Sequence, residues 1–178
     1  MARAAAKKRG KSKTGPGANQ PSLRSWIETL SRQKKLKRVK AEVDWDEEIG
    51  AITRINMGLQ GPALLFENIK DYKNTRSTKF MTCGLSNTQQ VALLLDLPKN
   101  TPDKDMVRHL KDTYQKPVKP KTIGTGPVKE NILKGDDINL FDFPALKYHA
   151  SDGGRYIDTF CGVVTNDPTT GRPNIGLY

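Results

Sequence analysis

Apolar positions along the chain fall into short helical and extended spacings from about residue 21. Leu23, Trp26, Ile27 and Leu30 recur at helical intervals, and Ser22 stands where a side chain can accept from the first free amides. This spacing predicts a helix with its apolar stripe in a core. Residues 36–43 alternate basic and apolar side chains and predict a short strand. Asp46 is expected to cap a second helix, with Glu47 and Glu48 in its first turn, where acids suit the helix dipole. Ile49, Ile52 and Ile55 are expected to face inward and Gly58 to end that helix. Residues 61–68 read as a turn running into a buried strand, and residues 80–84 as a further strand. Ser86 or Asn87 caps a helix reaching Leu95. Asp103 caps another reaching Tyr114, with Met106, Val107, Leu110 and Tyr114 on one side.

Helices and strands intermix as far as Lys116, which predicts an α/β domain over residues 21–120 whose core stands without the later residues. Residues 116–127 shift to Pro, Lys, Gly and Thr and read as a linker or crossover. Beyond them the signals are mostly β. Residues 128–132 and 156–165 are expected strands, and residues 140–144 an irregular apolar segment. Residues 166–171 carry strong turn chemistry, and residues 173–178 are the return strand of a hairpin. Three or four strands are too few to close a barrel or a sandwich. The expectation is therefore a truncated chain, the first part of a longer protein.

Charge changes this picture only at one end. Of 30 Lys and Arg, thirteen lie in residues 1–40 against Glu28 alone, and the remaining seventeen face eighteen acids over residues 41–178. The body is near neutral, unlike a nucleic-acid reader with a basic stripe on its fold. Residues 1–20 lack aromatic residues and cannot bury enough apolar area to offset their ordering entropy, so a disordered basic tail is expected. A targeting signal or a loose polyanion contact are its other readings. No run approaches the ~20 apolar residues of a membrane span. Cys83 and Cys161 have neither metal-type nor redox-type spacing, which fits a reduced, cytoplasmic setting.

Candidate chemistry is sparse. His109 falls in a helical pattern and reads as a solvated or packed helix residue. His149 precedes Asp152, Gly153 and Gly154 in a loop, where an acid–base or metal pair competes with plain local hydrogen bonding, the weightier reading. No nucleophile elbow, Walker A loop or Rossmann glycine pattern occurs. Asn174 sits in the expected return strand, where Asn is disfavoured. Its carbonyl would suit a hard cation.

The ordered segment HASDGGRYI (149–157), VVTNDPTTG (163–171) and NIGLY (174–178) resembles the UbiD family of decarboxylases. Residues 23–39, GPALLFENI (61–69) and the 89–95 helix agree with the opening of that family, so the resemblance covers about residues 21–178. It implies an N-terminal α/β domain followed by the first strands of a split β-barrel of flavin-reductase-like type, residues 121–178. It also implies prenylated FMN, held through a divalent metal, usually Mn2+, with K+ nearby. Asn174 matches a metal ligand of that family, and Asn174, Ile175, Leu177 and Tyr178 match its cofactor-binding strand. The family's Glu–Arg–Glu set matches no position up to Tyr178, so no catalytic residue is expected within this chain.

The reading is the N-terminal part of a UbiD-like (de)carboxylase of aromatic or α,β-unsaturated acids, inert as a fragment. A homo-oligomer is expected when intact, with a flavin prenyltransferase supplying the cofactor. The alternative is a non-catalytic α/β module whose basic tail contacts nucleic acid. Deleting residues 1–20 is expected to leave the melting temperature within error, and a drop of several degrees would show that the tail packs on the fold. Any DNA affinity of the tail should collapse between low and physiological salt through counterion release.

Overall fold

The computed structural model describes residues 22–116, 118–119, 122–159 and 161–177. The basic tail and Tyr178 lie outside them. The described chain groups into two units that do not follow chain order. One takes the residues up to Leu36 together with Leu85–Lys119, and the other Lys37–Gly84 together with Pro120–Tyr178.

The first unit is helical. Helix α1, Leu23–Arg32, begins as its sequence predicts, with Ser22 as cap. The Ser25 amide donates to Ser22 Oγ at 3.3 Å and the Ser22 amide donates to Ser25 Oγ at 3.2 Å. Two otherwise orphaned donors are satisfied reciprocally. Trp26 and Leu30 of its stripe are buried, whereas Leu23 is exposed. A later helix, Thr88–Leu94, takes Asn87 as its cap, whose Oδ1 accepts from the Gln90 amide. The helix at Asp103–Tyr114 departs from expectation. Pro102 is its cap, so Asp103 and Asp105 lie inside the first turn, acting on the dipole rather than on an orphan amide. Only Met106 of its expected apolar side is buried, and Tyr114 is 82 % exposed. Helical spacing marks a stripe. It does not guarantee a cover for it.

The second unit is built on a three-stranded sheet in the order β1 (Leu36–Val39), β2 (Ala63–Phe66), β3 (Phe80–Thr82). All four residues of β2 are buried, and β2 pairs antiparallel with β3 in the register Leu64 to Thr82. Both flanking strands are shorter than their sequences suggest. β1 stops at Val39, and Val43 instead bridges Ile69 in parallel. β3 stops at Thr82 because Cys83 turns to φ 56°, a conformation no strand contains.

Helix α2, Glu48–Gly58, covers the sheet through Ile49. Asp46 does not cap it. The cap position is Glu47, whose φ of 67° lies in the left-handed region at a cost of about 1–2 kcal/mol. That strain is held from outside the helix. The Glu47 amide donates to the Lys147 carbonyl at 2.9 Å, and Lys147 Nζ donates to Glu47 Oε1 at 2.8 Å. Ile55, expected to face inward, is 64 % exposed.

The core of this unit is Val43, Ile49, Leu64, Phe66, Ile69, Tyr72 and Leu146. Leu146 is the informative member. It is fully buried, and it comes from residues 145–148, which lie as a strap along Asp46 and Glu47. The expectation that the core of residues 21–120 stands by itself is thus corrected: part of the centre is supplied from beyond the linker.

Two expected strands also change. Residues 127–129 form a 3₁₀ turn opened by Pro127, and Val128 and Ile132 are exposed. Pro lacks the ladder donor, and neither apolar residue meets a partner strand. Among the described residues of 156–165 only the end is regular, in β4 (Gly162–Asn166), while Tyr156 makes an isolated bridge to Leu146. The return strand β5, Pro173–Leu177, forms as its sequence predicts.

Two substitutions test the strap. Leu146→Ala should cost about 2–5 kcal/mol by cavity formation, lowering the chemical-denaturation midpoint of the whole second unit. Gly50→Ala would ordinarily gain about 1 kcal/mol of helix propensity. Here its Cβ would sit 2.6 Å from the Tyr148 carbonyl oxygen, a backbone atom that cannot swing aside. Destabilisation is therefore expected despite the gain in propensity.

Candidate functional site

β4 and β5 form a two-stranded antiparallel ribbon in which Thr165 faces Asn174, Val164 faces Ile175 and Gly162 faces Leu177. The turn between them is fixed by one side chain. Asp167 Oδ1 accepts from the Thr169 amide at 2.9 Å, the Thr170 amide at 2.6 Å and Thr170 Oγ1 at 2.9 Å. The Gly171 amide donates to the Asp167 carbonyl, and Gly171 takes φ 69°, where a Cβ would be strained. The Thr170 amide and hydroxyl, then the Thr169 amide, hold the Asp167 carboxyl below its ordinary pKa. These contacts set the register, and the register sorts the side chains.

Strand alternation places Asn174 and Thr165 on one face, and Ile175, Val164 and Leu177 on the other. Of the residues singled out from sequence, Asn174, Ile175 and Leu177 are thus brought to one strand but not to one surface. Asn174 lines an open cleft of about 520 Å³ at the turn end, together with Thr165, Asn166, Asp167, Arg172 and Pro173. Ile175 and Leu177 are 67 % and 72 % exposed. The Asn174 side chain and the Arg172 guanidinium have no partner among the described residues. No group of three His, Cys, Asp or Glu side chains suited to a metal occurs among them either.

The His149–Asp152 pair resolves in favour of local order. Asp152 Oδ2 accepts from both the Tyr148 and the His149 backbone amides at 2.9 Å, so the carboxylate fastens the loop instead of serving the imidazole. His109 is exposed on its helix. A Cβ at Gly153 or Gly154 would meet nothing within 4 Å, so no close approach within the protein demands those glycines.

Sequence reasoning passed over Arg155. Its guanidinium stacks on Trp45, 3.4 Å from the ring centroid, lies 5.3 Å from that of Phe141, and donates to Tyr72 Oη at 3.1 Å. Trp45 Nε1 in turn donates to Asp71 at 3.0 Å. Contacts of this kind are worth about 0.5–2 kcal/mol. No local spacing could have revealed them, since Arg155 and Tyr72 are 83 residues apart.

Comparison with known families gives two adjoining matches in chain order. Residues 27–110 match the 3-octaprenyl-4-hydroxybenzoate carboxy-lyase N-terminal domain, and residues 120–178 match the Rift-related domain of the same enzyme. The chain belongs to the UbiD family. A pyrrole-2-carboxylic acid decarboxylase of Pseudomonas aeruginosa is 34 % identical over 152 residues, 82 % of this chain and 31 % of that protein. The closed form of the vanillic acid decarboxylase of Sedimentibacter hydroxybenzoicus superposes with a TM-score of 0.78 at 37 % identity, over 88 % of this chain and 34 % of that one. An evolved dimeric form of the UbiD-class enzyme HmfF of Pelotomaculum thermopropionicum, in complex with prFMN, gives 0.73 at 31 % identity, over 88 % and 34 %. This UbiD chain thus spans about a third of the length of the relatives it matches. No helix among its described residues is long and apolar enough to cross a membrane.

The turn of this UbiD chain carries a pH dependence whose sign is fixed. A carboxyl held below its ordinary value of 3.8 stabilises the hairpin fully above that pH, and the contribution is lost as pH falls through the depressed value. The Thr169 and Thr170 amide resonances should therefore keep their hydrogen-bonded shifts at neutral pH and lose them in acid. Asp167→Ala should lose them at every pH. Asp167→Asn, which keeps an acceptor oxygen, should retain part of them without the acid transition.

Proposed function

We propose that this chain is the N-terminal part of a UbiD-like non-oxidative (de)carboxylase acting on aromatic or α,β-unsaturated acids through prenylated FMN. The observation that carries the reading is the pair of UbiD domain matches in order, ending on the strand that bears Asn174. The three relatives support it, two being decarboxylases of aromatic acids and one a complex with prFMN. When bound, the prenylated flavin supplies an electrophile that accepts the electron pair left by departing CO2.

The residues of the ribbon suit a part of such a site. Asn174 offers an unshared amide oxygen, a hard donor fit for Mn2+ or another divalent ion, with K+ as a possible companion. Arg172, two residues earlier and lining the same cleft, adds a cation beside the place a flavin phosphate would occupy. Asn174 would thus hold the metal–phosphate end. Ile175, Leu177 and Tyr178 would line the flavin. Because Ile175 and Leu177 face away from Asn174, a flavin lying on one face meets one of the two sets through backbone rather than side chains.

The wider reading extends to the domains and the assembly. Residues 21–120 would form the N-terminal domain and residues 121–178 would open a split β-barrel. The proton-transferring residues would lie outside this chain. The intact enzyme would be a cytoplasmic homo-oligomer, supplied by a flavin prenyltransferase.

Asn174→Leu tests the assignment in the intact protein, since it keeps the approximate size and removes the oxygen. Folding should survive. Manganese and prenylated-flavin content after reconstitution should fall, with a loss in metal affinity and decarboxylation at least as large as the ~10–100-fold that losing an outer-shell partner costs. Metal occupancy and rate equal to the parent would overturn the role of Asn174.

A further inference from the structure

A second concave surface lies within the Lys37–Gly84 and Pro120–Tyr178 unit, away from the β4–β5 ribbon in sequence and in lining residues. It is formed where helix α2 meets the strap. Two overlapping cavities of about 260 and 430 Å³ share Gly50, Arg54, Tyr148 and His149. Ile55 lines the first and Met57 the second, both of them exposed. The floor is built rather than incidental: the Gly50 backbone approaches the Tyr148 carbonyl so closely that a Cβ would not fit.

The charges in this groove are unequal. Glu47 also lines it, but its carboxylate is already held by Lys147 at 2.8 Å. The Arg54 guanidinium and the His149 imidazole have no partner among the described residues. The fixed charge left uncompensated is therefore a guanidinium, whose planar fork matches a carboxylate at two oxygens. The walls beside it include a thioether and a branched aliphatic side chain, surfaces that accept a flat apolar body.

We propose that the groove between α2 and the strap binds a small aromatic monocarboxylate, with Arg54 taking the carboxylate and Met57 and Ile55 flanking the ring. This is a second site for the same chemical class as the proposed substrate. It contains none of the residues assigned to the cofactor, so it stands or falls separately from Asn174.

Titration of the isotopically labelled full chain with sodium benzoate, followed by chemical shift, tests it. Saturable shifts are expected at the Met57 methyl, the Ile55 methyls and the Arg54 Nε–H, with a dissociation constant on the order of 1 mM. Benzyl alcohol, equal in shape but uncharged, should give at least tenfold weaker binding. Arg54→Met keeps the apolar stem and should weaken benzoate binding tenfold or more, whereas Arg54→Lys should keep part of it. Met57→Glu, which leaves Arg54 in place and sets a negative charge in the groove, should also abolish binding. Both positions lie at the surface, and an unchanged circular dichroism spectrum would show each variant folded. Equal binding of benzyl alcohol, unaltered binding in Arg54→Met, or no saturable shift at tens of millimolar benzoate would each overturn the proposal. Loss of benzoate binding in Asn174→Leu would overturn it too, by moving the carboxylate to the ribbon.

Discussion

Burial of Leu146 against Ile49 and Phe66 is the contact on which the second unit depends. It joins the α2 layer and the sheet to a segment far along the chain, and the strap's other bonds lie on either side of it. Lys147 is thereby set beside Glu47, where its carbonyl and ammonium together hold a left-handed residue at the head of α2. Tyr148 is set against Gly50, and Tyr156 is drawn back onto Leu146. Removing the apolar plug would release a strained backbone, an ion pair and a bridge in one step. A sum of separate contacts would understate that loss.

The same strap explains why the candidate residues sort as they do. Asp152 commits its carboxylate to the Tyr148 and His149 amides, which closes the loop behind the strap. Arg155 then anchors the far end between Trp45, Phe141 and Tyr72. Local hydrogen bonding, the weightier reading of His149 and Asp152 from sequence, is what fastens one segment to another here. The free polar chemistry lies elsewhere, at Asn174 and Arg172 on the ribbon and at Arg54 and His149 in the groove.

Local rules were legible wherever the physics is local. Ser22 and Asn87 cap their helices because the acceptor and the orphan amide lie three residues apart. The hairpin turn at Asp167 is equally self-contained. Errors arise where a distant partner decides. Asp46 is a good cap by type, yet its neighbour Glu47 takes the position because Lys147 holds it there. Val107 and Tyr114 satisfy helical spacing, but spacing cannot report that they stay exposed. Asn174, Ile175 and Leu177 share the expected strand, and alternation alone sets Asn174 on the face opposite the other two, while the pairing of Asn174 with Thr165 needed the register.

The distance along the chain between the two halves of the core has a consequence for synthesis. Glu47 and Lys147 are 100 residues apart, so the sheet and α2 leave the ribosome long before the segment that completes them. At about 5–20 residues per second, the delay is roughly 5–20 s. Through that interval Leu64, Phe66 and Ile69 lack their final cover, and chaperone contact during translation would fall on that stretch of the nascent chain.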